Sequence, residues 1–410
     1  MYLSDSAKYL LYFVLVLFPI VSPFVGDFGP LLSLWGLLFV CLTALLLIRL
    51  PLLDIRGTIP LIWLLYLFFN VSIATKNNIP LGDVFRSIAP FVFYPITFMS
   101  VLLIGKHQAV GLVKFFLIVS LVLIGWSVVI LIQNGIGLSA FATGYRLTFN
   151  DTFSALPISV CGLIFTFTFV KQKALTISLV FVFLLHILAT KSKGLALLTI
   201  LNIGALYLFY YQTNLSMFKA FKRGVFLILG LSIILYFARD FSLLERFMII
   251  GTDSDVTTLG RIQEIMNAIE QFVQNPLMGV GNGYSFAHIG LDGHLEYRRY
   301  THSFIFYFLA TTGIIGLILY LLVIIVPVKK ALNYYSRYKN NVFVKNESKL
   351  IFVLALASIN VNLYSMVSAS YKLIHMNIML GLFHGVIFTL CEYIDKKAKF
   401  NSLLVESKVF

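Results

Sequence analysis

Between residues 261 and 302 the sequence places an arginine, a carboxylate and a histidine that could do acid–base and anion chemistry together. His302 lies in Thr301-His302-Ser303, at the head of the apolar run FIFYFLATTGIIGLILYLL. Near neutral pH an imidazole is the natural proton acceptor, so His302 could take the proton of an attacking hydroxyl. The plainer alternative is an interfacial histidine at the end of a membrane span. Arg261 offers a planar charged fork to an anion. Glu264 follows it by three residues and admits two readings, a second base or a local ion pair with Arg261 at i, i+3. Gly279-Val-Gly281-Asn-Gly283 could cradle phosphate with backbone amides. It lacks the strand and following helix of a dinucleotide site, so a structural turn is the competing reading. No two carboxylates stand at hydrolase spacing, and glycoside hydrolysis is not suggested.

The elements that must position these residues are set by composition. Of 410 residues, 60% are hydrophobic and 12% charged. Soluble domains are about half apolar and about a quarter charged. The excess cannot be hidden in one globular core, which excludes a soluble enzyme, a nucleic-acid binder and a disordered tail. A membrane helix takes about 20 apolar residues, so the chain has room for about twelve. The fold expected is an all-α integral membrane bundle. Its spans are placed at 8–25, 28–48, 58–75, 86–105, 111–132, 153–170, 174–190, 194–211, 224–238, 303–327, 350–368 and 373–391. The first apolar run, to Ile20, has no convincing small-residue cleavage site and reads as an uncleaved span. Cys41, Cys161 and Cys391 have no CxxC partner, so neither a disulfide framework nor a zinc site is indicated.

Charge then orients the spans. With both ends inside, about twenty of the 31 Lys and Arg fall in inner segments, as the positive-inside rule requires. The net charge of +14 is thus mainly a topology signal, with attraction to anionic inner-leaflet lipid added. Four regions follow: spans one to nine over 1–238, a large outer loop over 239–302, spans ten to twelve over 303–391 with a basic inner loop at 328–349, and an inner tail over 392–410. Within the outer loop, residues 260–274 have a helical period. Ile262, Ile265, Met266, Ile269 and Val273 share one face. Thr257 or Thr258 could cap its start, and Asn275-Pro276 should stop it. Such a helix would lie along the membrane surface, cover the bundle mouth or simply pack on the bundle. Asn70, Asn202, Asn360 and Asn362 fall within spans and read as interhelical hydrogen-bonding residues.

The run GRIQEIMNAIEQFVQNPLMGVGNGYSFAHIG, followed by THSFIFYFLATTGIIGLILYLL, resembles the shared signature of the O-antigen ligase and O-antigen polymerase superfamily. The residues that carry it are Gly260-Arg261, Asn275 to Gly283, His302-Ser303 and Gly313-Ile-Ile-Gly316. The resemblance implies an inverting, metal-independent glycosyltransferase of the GT-C kind in the bacterial inner membrane, with its active site facing the periplasm. The implied donor is a glycan on undecaprenyl pyrophosphate, and the acceptor is another such glycan or lipid A–core. No cofactor, metal or nucleic acid is expected. Membrane lipid and a chain-length regulator protein are the further partners. A polymerase of repeat units is the first reading and a ligase the close alternative. A lipid-linked oligosaccharide flippase or other transporter is the alternative of another class; such carriers usually show related halves, and no internal repeat is visible here.

The resemblance also assigns roles. His302 and Arg261 are the expected catalytic residues. The family's span-end arginine, usually in Ser-Arg-Gly, is replaced here by Lys193 within Ala189-Thr-Lys-Ser-Lys-Gly194. Arg146, in Tyr145-Arg146-Leu-Thr-Phe-Asn150-Asp151, loosely fits a further family motif. Lys193, Arg146, Lys191, Arg298 and Arg299 are the expected pyrophosphate-binding cations. Clustered around one anion they would offset the cost of standing near lipid and stabilise the departing charge. Glu264, His186, Lys372 and His375 are further candidates.

Overall fold

The computed structural model describes residues 58–103, 106–133, 156–189, 193–207, 256–289, 294–366 and 368–406. The described chain is helical apart from one small hairpin. In order come α1 (Thr58–Lys76), α2 (Leu81–Leu102), α3 (Lys106–Gln133), α4 (Leu156–Phe169), α5 (Lys173–Ala189), α6 (Lys193–Ala205) and α7 (Val256–Gln274). Strands β1 (Phe286–Ile289) and β2 (Leu295–Arg298) follow, then α8 (Phe304–Tyr338), α9 (Lys345–Ser365), a 3₁₀ turn (Ala369–Lys372) and α10 (Ile374–Glu406). Five of these helices are long and apolar enough to cross a membrane. The expected spans at 8–25, 28–48 and 224–238 lie outside the described residues.

Apolar helices need close backbone approach rather than amphipathic faces to associate in lipid. The α2–α10 pair achieves it through small residues. A Cβ on Gly381 would stand 2.6 Å from the Tyr94 carbonyl, and one on Gly385 would stand 2.7 Å from Val101. Asn202 hydrogen-bonds Asn360 between α6 and α9, as expected of asparagines within spans. Asn362 instead donates to the Ser358 carbonyl of its own helix at 2.8 Å.

The expected tenth span at 303–327 is not one straight helix. Gly313 takes φ 64° and ψ −170°, and the chain folds back there. The Phe304 and Tyr320 rings lie 5.4 Å apart. Sixteen residues of unbroken helix would hold them about 24 Å apart. A short limb, 304–312, therefore packs against a long one, 314–338. The run is apolar throughout, so hydropathy alone gave no sign of the break. The long limb continues to Tyr338 and α9 starts at Lys345, so most of 328–349 is helix and only 339–344 connects. Likewise α10 runs to Glu406 through most of the expected tail. In both places charged residues continue the helix where apolar windows end, because Lys, Arg and Glu are good helix formers.

Gly313 leaves backbone groups unpaired, and inside an apolar bundle each would cost several kcal/mol. The loop after α7 supplies the partners. Val280 and Gly281 donate N–H groups to the Ala310 and Thr311 carbonyls, both at 2.9 Å. In return Ile314 and Ile315 donate to Pro276 and Leu277, at 2.9 and 3.3 Å. Only glycine fits this approach. A Cβ on Gly279 would stand 2.4 Å from Thr311 backbone, and one on Gly313 2.3 Å from the Leu277 carbonyl. Asn70 of α1 locks the junction, donating to Thr311 and accepting from the Asn282 backbone at 2.8 Å and its side chain at 2.7 Å.

Candidate active site

Helix α7 faces the protein along Gly260, Glu264 and Ala268. Glu264 is buried, while Ile262, Met266, Ile269 and Val273 of the apolar face are 47%, 61%, 44% and 70% exposed. Helix packing alone would bury the apolar stripe, so the outward stripe favours a helix lying against lipid. The helix begins at Val256, which puts Thr257 and Thr258 inside it rather than at its cap. It stops at Gln274, before Asn275-Pro276, as expected.

The inward carboxylate organises the site. Glu264 accepts the His302 backbone N–H at 2.9 Å, and its two oxygens lie 2.9 and 3.1 Å from His302 Nδ1. His288 Nδ1 approaches the other side of the carboxylate at 2.7 Å, without the alignment of a hydrogen bond. An ionised carboxylate only accepts, so Nδ1 of His302 carries the proton and Nε2 keeps its lone pair. The Glu264 side chain is 1% exposed and that of His302 26%. The carboxylate is thus shielded while the imidazole reaches outward. This arrangement can take a proton from a hydroxyl and hold the ring in one tautomer and orientation meanwhile. Arg261 is exposed and makes no ion pair among the described residues. Of the two readings of Glu264, the Arg261 pair is not the one formed.

Two supports fix His302. Strands β1 and β2 pair antiparallel, with His288 opposite Glu296, and β1 packs directly on α7. Gly260 permits this, because a Cβ there would stand 2.6 Å from the Ile289 carbonyl and 2.7 Å from the His288 ring. On the other side, the Tyr371 hydroxyl donates to the Thr301 carbonyl at 2.8 Å and accepts its N–H at 3.2 Å. The backbone entering His302 is thereby clamped.

The glycine loop does not present a phosphate cradle. The amides of residues 279–282 donate in turn to Asn275, Ala310, Thr311 and Asn70. Four consecutive donors are spent on the protein itself, so the structural reading of this motif holds.

The cations divide. Arg298 pairs with Glu296 at 2.9 Å, and Arg299 with Asp83 at 2.9 Å. Both arginines therefore hold acidic partners. Exposed pairs of this kind are weak, usually under about 1 kcal/mol, and exchange readily. Lys372 has no carboxylate at ion-pair distance among the described residues. It donates to the Tyr307 hydroxyl at 2.8 Å and lies over the Tyr307 ring at 4.2 Å. Burial pushes its pKa down to about 7, and the Arg299 charge acts in the same direction.

A family model described as O-antigen ligase matches residues 177–321. This segment is similar to the O-antigen ligase and polymerase superfamily. It holds Arg261, Glu264, His288, His302 and the Gly313 break. The similarity points to a glycosyltransferase-like enzyme of the ligase and polymerase type, and the five long apolar helices point to a multi-pass membrane protein. No curated protein matches the chain.

Within the matched segment the structure joins Glu264 to His302 and sets Arg261 one helical turn before Glu264. His186 lies elsewhere, buried in α5 at 2.8 Å from the Ser159 hydroxyl of α4. Lys193 opens α6 and His375 lies in the first turn of α10. Arg146 and Lys191 lie outside the described residues. Sequence reasoning missed His288, Tyr371 and Asp83. A hairpin signal was present for the first, since Asp292-Gly293 separates two short runs rich in aromatic and aliphatic residues. Nothing local marked the other two, whose partners Thr301 and Arg299 lie 70 residues or more away along the chain.

Proposed function

We propose that this protein is an inverting, metal-independent glycosyltransferase that joins undecaprenyl-pyrophosphate-linked repeat units into O-antigen or a related surface polysaccharide. The supporting observation is the histidine–carboxylate pair, in which buried Glu264 holds Nδ1 of His302 and leaves Nε2 for an acceptor hydroxyl. In the reaction the hydroxyl oxygen attacks the anomeric carbon of the donor glycan. His302 takes the hydroxyl proton, a C–O bond forms with inversion, and the bond to pyrophosphate breaks with its electron pair leaving on the phosphate. Arg261 stabilises that departing charge. Glu264 is a positioning residue. The bundle has about twelve spans of the GT-C kind, with the site on the periplasmic side of the inner membrane and α7 resting in the interface beside it. Lys193, Arg146, Lys191, Arg298 and Arg299 assist in holding the donor, the last two by exchanging their acidic partners for phosphate.

The matched model's own description favours a second reading, transfer of the finished glycan to lipid A–core. Deletion of the gene separates the two. Loss of a polymerase leaves one repeat unit on lipid A–core, and loss of a ligase leaves long polymer on the undecaprenyl carrier. His302→Ala and Arg261→Ala should reproduce the deletion pattern at normal expression. Full-length, attached polymer from both variants would defeat the assignment.

A further inference from the structure

Lys372 is an incomplete site. Its ammonium is half-buried among aromatic rings, over Tyr307 at 4.2 Å and Phe91 at 5.9 Å. Its described contacts include a neutral hydroxyl donated to at 2.8 Å, but no carboxylate. Removing a cation from water without an opposite charge is costly. The charge that acts on it, that of Arg299, has the same sign. Arg299 is itself turned to Asp83 on one side and is 42% exposed on the other. Lys372 also ends the 3₁₀ turn directly before α10, whose amino terminus adds positive partial charge. Lys372, Arg299 and this helix end are three positive features, and the carboxylate paired among them is Asp83, 2.9 Å from Arg299.

Their place is fixed relative to His302. Tyr371, the neighbour of Lys372, clamps Thr301, the neighbour of His302, through both backbone groups. Tyr307 relays in the other direction, donating to Asn282 Oδ1 at 3.0 Å while it accepts from Lys372. The Tyr307 hydroxyl therefore holds the ammonium without neutralising it.

We infer that Lys372 and Arg299 form a phosphate-binding subsite beside His302, completed by the amino terminus of α10. This rests on the proposed pyrophosphate-linked donor and names the groups that anchor its leaving phosphate. Polyprenyl pyrophosphate and free pyrophosphate present the same anion. Lys372 takes the direct contact, and Arg299 turns partly from Asp83 to share it.

Binding by the full chain in phosphatidylethanolamine nanodiscs tests this. The probes are inorganic pyrophosphate in solution and polyprenyl pyrophosphate in the disc. Lys372→Gln should weaken binding tenfold or more, and Lys372→Arg should stay within threefold of the wild type. Weakening for both probes shows that the phosphate alone is recognised. Weakening for the lipid probe alone assigns the site to lipid-borne phosphate. Unchanged affinity for both overturns the inference. Should Lys372→Gln fail to fold, Arg299→Gln carries the test, with a threefold or greater loss expected and none overturning it. His302→Ala should bind both probes as the wild type does, so a failed anchor and a failed transfer reaction are read separately.

Discussion

Replacing Glu264 by Gln keeps the size of the side chain and removes its charge. The carboxylate accepts two kinds of contact from His302, through the backbone N–H and through Nδ1. An amide keeps one oxygen acceptor and turns the other position into a donor, which must face either Nδ1–H of His302 or the His288 ring. A charge-assisted hydrogen bond contributes about 1.5–3 kcal/mol, which alone is about ten- to a hundredfold in rate. The substitution also frees the imidazole to adopt the tautomer with Nδ1 unprotonated, which moves the lone pair away from the hydroxyl. Removal of a buried carboxylate behind a catalytic histidine costs up to about 10⁴ in kcat. The expected loss for Glu264→Gln therefore lies between about 10² and 10⁴ in kcat, with KM moved less than about threefold. The assay is elongation of lipid-linked repeat units by purified protein in nanodiscs, scored with thermal stability to exclude misfolding. A folded Glu264→Gln enzyme within threefold of wild-type kcat would refute the positioning role. So would a loss confined to KM.

Other predictions follow from the same contacts. Lys372 is held near pH 7 by burial and by Arg299, so it loses charge as pH rises through that value, and pyrophosphate affinity should fall between about pH 6 and pH 8 relative to Lys372→Arg, whose guanidinium stays charged. Parallel pH profiles of the two proteins would contradict this; the comparison cancels ionisation of pyrophosphate itself and of the facing Asp83, Arg299, Tyr307 and Glu264. Gly313→Ala and Gly279→Ala should each abolish accumulation of folded protein, since both positions have φ near 65–70° and meet backbone within 2.4 Å. Gly82→Ala, with nothing within 4 Å of the added Cβ, should be silent in the same expression and melting assays. A spin label on Met266→Cys should be reached by membrane-dissolved oxygen and shielded from aqueous relaxation agents, because its face of α7 is turned outward; the reverse accessibility would place the helix in water.

The sequence carried the class of fold and the identities at the heart of the site. Apolar runs located the helices α1 to α6, α9 and the start of α10 to within several residues, because length and hydropathy are local properties. Arg261, Glu264 and His302 could be singled out by type and spacing. What failed was long-range. The Gly313 break is invisible to hydropathy, since its cause is the loop at 276–281 that pairs with it. The choice between readings of Glu264 was settled by the β1–β2 hairpin and the fold-back at Gly313, which bring His288 and His302 to the carboxylate. The outward apolar stripe of α7 reversed the usual inference from amphipathic periodicity, because a helix at a lipid boundary can turn its apolar side to the lipid.

Single-turnover transfer by purified protein, with a donor on polyprenyl pyrophosphate and an acceptor glycan, tests the role of His302 most directly. Wild-type protein should form one new glycosidic bond with inverted configuration, and His302→Ala should form none while still binding the donor. Transfer by His302→Ala at the wild-type rate would contradict the central claim.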